Sequence, residues 1–136
     1  MSALLTLPVV IPLLTACAAL STWRSRIAQR CLSLAGSMAL LVVAVLLLIT
    51  VRREGVIATQ LGSWPAPFGI TFVADHLSAV MVLLGAISGM AMCVFSLGSI
   101  DRRREAYFYH PLMQTLLMGV SGAFLTGDIF NLYVWF

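Results

Sequence analysis

Few side chains in this sequence are equipped to move a proton or hold a cation. Asp75, His76, His110 and Asp128 are titratable groups standing beside long apolar runs, where an ionisable residue is costly and usually functional. Asp128 follows Thr126-Gly127 at the start of such a run. A carboxylate there either caps a helix or receives an ion, and the capping role weighs more. Asp75 precedes another run and suits the positive end of a helix dipole. His110, just before Pro111, belongs to the residue type best suited to proton relay, although a plain polar residue at a membrane interface is the more economical reading. His76 carries no special role. Gln114 and Thr115 lie inside an apolar run without charged company, and hydrogen bonds between helices are the usual fate of such residues.

Other chemistry finds no support. No nucleophile constellation, phosphate loop, dinucleotide fingerprint or metal cluster occurs, so no cofactor is expected. The three cysteines, Cys17, Cys31 and Cys93, fall in apolar runs without ligand spacing and read as small buried hydrophobes. Trp64, Tyr107, Tyr109 and Trp135 fit an interfacial belt or packing.

The elements that position these residues must lie in lipid. Hydrophobic residues make up 61% and charged residues 10% of the chain, against roughly 45–50% and about 25% in soluble domains. A core of this size cannot hide that much apolar surface from water. The net charge of +3 comes with arginines in short clusters between apolar runs, a pattern of membrane topology rather than of nucleic-acid binding.

The chain reads as an all-α polytopic membrane protein with spans at about 3–23, 31–51, 76–98 and 107–125 and the start of a fifth at 128–136. About 20 residues cross a core of roughly 30 Å. Leu14-Thr15-Ala16-Cys17 imitates a lipoprotein cleavage box, but the positive charge follows the apolar run instead of preceding it. Residues 55–74 are uncharged too, yet Gly55, Gly62, Pro65, Pro67 and Gly69 punctuate them. Flanking β-rich stretches make this a hairpin-like outer loop, with Trp64 at headgroup level. Gly85 and Gly89 in the third span, and Gly119 and Gly122 in the fourth, mark close-packing faces. Arg24, Arg26 and Arg30 follow the first span, and Arg102, Arg103 and Arg104 follow the third. The intervening loop has two arginines and Glu54, so the arginine-rich turns belong inside the cell and the N-terminus outside. The last apolar stretch, 129–136, is far short of a span, which reads as an unfinished helix in a fragment.

Two stretches carry a resemblance. Trp64-Pro65-Ala66-Pro67-Phe68-Gly69-Ile70-Thr71-Phe72-Val73-Ala74-Asp75, with Leu77-Ser78-Ala79, resembles the D subunit of Mrp-type multisubunit Na+/H+ antiporters. The match at Gly122-Ala123-Phe124-Leu125-Thr126-Gly127-Asp128-Ile129-Phe130-Asn131-Leu132-Tyr133-Val134-Trp135-Phe136 is stronger. Those proteins are relatives of the proton-pumping subunits of respiratory complex I and of membrane-bound hydrogenases. The resemblance implies exchange of protons for monovalent cations, with Na+ the expected coupling ion, within a hetero-oligomeric complex in the cell's inner membrane. It also implies a proton-transfer glutamate in the fifth helix and lysines on later helices. The chain has no lysine and ends where that glutamate is expected, so as it stands it is expected to transport nothing alone. A residue about nine positions into that helix lies roughly 13 Å deep, near the bilayer midplane. A membrane-arm subunit of a complex I-like or hydrogenase assembly, and a short structural or assembly protein, are the alternatives.

Overall fold

A computed structural model describes residues 2–61, 69–105 and 107–135, without the side chains of Ser2, Arg102 and Arg104. Helix α1 (Ser2–Ser21) holds Pro8 and Pro12 inside it. Each proline removes one donor from the backbone ladder, a loss that membrane helices tolerate when the site is packed. Both are fully buried here.

Helix α2 (Arg26–Glu54) is longer than the apolar run at its centre. Ser25 starts it by accepting from Ala28 N–H at 3.4 Å, so Arg26 and Arg30 stand on its first turns and not in a loop. Its 29 residues extend about 43 Å, more than the hydrocarbon is thick. Gly55 ends it with φ +83 and an N–H to Val51 O at 2.9 Å. That left-handed backbone is one glycine adopts without steric cost.

The loop between α2 and α3 is a hairpin. Strand β1 (Ile57–Gln60) pairs antiparallel with β2 (Thr71–Ala74), Ile57 facing Ala74 and Gln60 facing Thr71. In β2 Phe72 and Ala74 are buried and alternate with half-buried neighbours, the period-two pattern of a strand with one face inward. The Trp64-Pro65-Ala66-Pro67 turn lies outside the described residues.

Helix α3 (His76–Ser99) follows, then a single turn α4 (Arg102–Glu105), α5 (Tyr109–Leu125) and a short α6 (Ile129–Trp135). The fourth apolar helix starts at Tyr109 and not at 107, because Phe108 takes a left-handed conformation, φ 57. Helices α1, α2 and α3 are long and apolar enough to cross a membrane. Helix α5, with 17 residues, covers about 25 Å, the lower edge of the spanning range.

The four long helices form one bundle. Helix α1 packs against α2 and α5, α2 against α3, and α3 against α5, which closes the ring. Leu40, Leu47, Val51, Val82, Ala86, Leu117 and Leu125 fill its centre. Leu84, Ile87, Val94 and Phe95 point outward from α3, as Val42, Val45 and Leu46 do from α2. An exterior of that kind is stable in hydrocarbon, where burial of apolar surface between helices supplies no driving force. Small residues then decide how closely helices approach.

Candidate functional site

The polar groups gather at the two ends of the bundle. At the hairpin end, Asp75 and Asp128 line one cleft of about 390 Å³ with Ser78, Thr126 and Leu132. Asp75 Oδ1 accepts the Ser78 N–H at 2.6 Å. Those hydrogen bonds from Ser78 hold its carboxyl below the usual carboxylate range. Asp128 Oδ1 accepts the Phe130 N–H at 3.2 Å, so both carboxylates are engaged with the first turns of helices. His76 is exposed. The turn between α5 and α6 is fastened to the hairpin: Gly127 N–H donates to Thr71 O at 2.8 Å, and Thr126 bridges to Phe72.

At the opposite end the sequence reading needs correction. Arg24 and Arg26 are exposed, but Arg30 forms a forked pair with Glu105, Nε to Oε1 at 2.5 Å and Nη2 to Oε2 at 2.9 Å. The Arg30 guanidinium is the leading reason that the Glu105 carboxyl lies below the usual range, against the opposing effect of burial. Glu105 is only 2% exposed. Its Oε1 also lies 3.3 Å from His110 Nε2. His110 is therefore buried and not an interfacial polar residue, because α4 folds the Glu105 carboxylate over it.

One turn further along α5, Gln114 is fully buried. Its amide meets Ser33 O at 3.0 Å and the Ser33 and Ser37 hydroxyls at 3.1 Å each. Cys93 of α3 reaches the same Ser33 hydroxyl at 3.5 Å. Thr115 instead bonds back to Pro111 O within α5. Glu105, His110, Gln114, Ser33 and Ser37 thus make a polar track from one bundle end into its interior. Of these, Glu105, Ser33 and Ser37 escape the sequence reading. The i, i+4 spacings of Ser33/Ser37 and His110/Gln114 were the available signal; nothing in sequence pairs Arg30 with a carboxylate 75 positions away.

The glycines differ in what they do. A Cβ at Gly89 would meet the Leu117 methyls at 2.7 Å, and one at Gly122 would strike the Trp135 ring at 2.5 Å. Gly119 faces Trp135 O at 3.3 Å, whereas Gly85 has only Val120 at ordinary contact distance, 3.8 Å, so space does not require glycine there. Gly36, which the apolar pattern of its span concealed, is pressed against Thr15 of α1. Cys93 is buried, but Cys17 and Cys31 face outward from the bundle. Among the described residues no group of three His, Cys, Asp or Glu side chains is placed to hold a metal.

No family model matches the chain. The Na+/H+ antiporter D subunit of Bacillus subtilis is 42% identical to it over 130 residues, covering 96% of the chain and 26% of that protein. By sequence, the chain is a homologue of antiporter D subunits. The D subunit of the Na+/H+ antiporter of Alkalihalophilus pseudofirmus is 38% identical over 136 residues, all of the chain and 28% of the relative. The D subunit of a probable K+/H+ antiporter of Rhizobium meliloti is 36% identical over 139 residues, 98% of the chain and 25% of the relative. A chain in the Mrp complex from Dietzia sp. superposes with a TM-score of 0.88 at 29% identity, over 99% of this chain and 25% of that one. An archaeal membrane-bound sulfane sulfur reductase shares the fold, TM-score 0.90 at 24% identity, over 99% of this chain and 28% of its own. This antiporter-subunit homologue spans about a quarter of the length of the relatives it matches and is a multi-pass membrane protein.

Proposed function

We propose that the chain serves in ion transport and not in catalysis, as part of a monovalent cation/proton antiporter subunit within a hetero-oligomeric membrane complex. The observation that carries this reading is similarity to antiporter D subunits across nearly the whole chain, supported by the matching fold in an Mrp complex. Na+ is the proposed coupling ion, with K+ the alternative suggested by the Rhizobium relative. Asp75 and Asp128 act as helix caps beside the cleft through which cations approach. The apolar outer faces of α3 and α6 meet lipid or neighbouring subunits.

The proposed location is the plasma membrane with the N-terminus outside. Arg24 and Arg103, near the same bundle end as the Arg30–Glu105 pair, would then face the cytoplasm. Arg24→Cys and Arg103→Cys should react with an impermeant maleimide only in everted vesicles, and labelling in intact cells would reverse the orientation.

The function is tested in everted vesicles from a strain lacking its own antiporters and supplied with the complete operon. Addition of Na+ or K+ should collapse a respiration-generated pH gradient, and loss of the gene for this chain should abolish the response. A gradient unaffected by either cation in vesicles that contain the assembled complex would refute the reading.

A further inference from the structure

Two buried side-chain atoms among the described residues lack a hydrogen-bond partner, His110 Nδ1 and Gln114 Oε1. Both residues lie on α5, four positions apart. Donor and acceptor chemistry fixes which atoms these are. A carboxylate accepts, so the imidazole nitrogen 3.3 Å from Glu105 Oε1 carries the hydrogen. A backbone carbonyl accepts, so the amide end at 3.0 Å from Ser33 O is the NH2 end. Each residue is left with an unused lone pair inside the bundle. Residues four apart on a helix are neighbours on one face, with Cβ atoms roughly 5–6 Å apart, which puts both acceptors within reach of a bridging water. A water has two donors for the two acceptors. That arrangement removes the penalty of unpaired buried acceptors.

We propose that His110 is a proton-relaying residue, exchanging protons between a water held against Gln114 on one side and Glu105 on the other. Glu105 lines a cleft of about 190 Å³ with Arg26, Ile27 and Arg30, so the relay has an open end. In the step, an excess proton that reaches the bridging water from the bundle interior forms an N–H bond at Nδ1 and leaves a neutral water behind. The N–H bond at Nε2 breaks, and its proton passes to a Glu105 oxygen and then to water in the cleft. The ring ends with one proton, now on Nδ1, and a ring flip or proton exchange with water restores the Nε2 form before the next transfer; the reverse sequence carries a proton inward. Among the described residues, the titratable groups around His110 are Glu105 of α4, Arg30 of α2 behind it, Tyr109 beside it on α5, and Cys93 of α3 through Ser33. Helix α1 has no charged side chain. The transport consequence rests on the antiporter reading, whereas protonation of His110 does not.

The test uses the complete complex in two measurements, infrared difference spectra between about pH 5 and pH 8 and proton flux in vesicles. His110→Gln should remove an imidazole band from the difference spectrum and cut cation-driven flux about tenfold, with complex abundance unchanged. Gln114→Leu should keep the band but lower its proton affinity about tenfold, because a hydrogen bond to the charged ring is lost. An assembled His110→Gln complex with the wild-type spectrum and pH profile would overturn the proposal. Should that variant not assemble, an assembled Gln114→Leu complex with an unmoved titration does the same, and failure of both variants to assemble makes the residues structural. A wild-type complex that shows the His110 band but exchanges no cation leaves the relay standing and removes the antiporter reading.

Discussion

Gly36→Ala offers the sharpest test of the packing. The added methyl would lie 2.5 Å from Thr15 Cγ2 and 2.9 Å from Thr15 Cβ, with Thr15 Oγ1 closer still. The Cβ is fixed to the backbone of α1, and the hydroxyl is occupied with Ile11 O at 2.8 Å, so rotation cannot relieve the clash. The helices must separate instead. Overpacking of this kind costs about 1–3 kcal/mol, while alanine regains up to about 1 kcal/mol of helix propensity. Because rotation cannot relieve it, the clash lies at the upper end of that range, and the net loss expected is about 2 kcal/mol. Thr15→Ala removes two of the three clashing atoms and should recover at least half of it in the double variant. The assay is thermal unfolding of the detergent-solubilised complex, followed by size-exclusion profile, for both single variants and the double. A Gly36→Ala complex as stable as wild type, or a double variant no better than Gly36→Ala, would refute the close approach of α1 and α2.

Three further outcomes follow from the same geometry. Because Glu105 is held below the usual carboxylate range, its contribution to stability is present above the ordinary value of about 4.3 and is lost as pH falls through the lower folded value. Glu105→Gln should therefore be less stable than wild type at neutral pH, with the difference vanishing in strong acid, as thermal midpoints across a pH series would show. Asp75→Ala should lose about 1 kcal/mol in thermal unfolding, since Ser78 N–H forfeits its acceptor, while Asp75→Asn should retain most of it. Phe108 holds φ 57 with a partly exposed ring, so Phe108→Asn should leave the thermal midpoint unchanged or raise it by the relief of up to about 1 kcal/mol.

The membrane character and the order of elements were legible because lipid imposes long apolar runs that nothing else explains. The hairpin was legible too: Phe72 and Ala74 alternate inward, and the proline and glycine in the intervening sequence are turn residues by type. What escaped was pairing over distance. Arg30 looked like one more topological arginine, because its partner lies across a bundle whose closure only the packing of α5 reveals. Its place on the first turns of α2 depends on the Ser25 cap. His110 looked interfacial for a related reason, since the short α4 that covers it is written in charged residues that imitate a plain hydrophilic loop. Gly36 was invisible because a glycine in an apolar run signals close contact without naming the neighbour.

The fastening of Gly127 and Thr126 to β2 has a mechanical corollary. Strand β2 runs into α3 through Asp75 alone, so α6 and α3 are both tied to one strand at that end of the bundle. A sliding or tilting movement of α6 would therefore pull on the base of α3, and a displacement of α3 would pull on α6. The strand is thus a shared anchor for the starts of two helices.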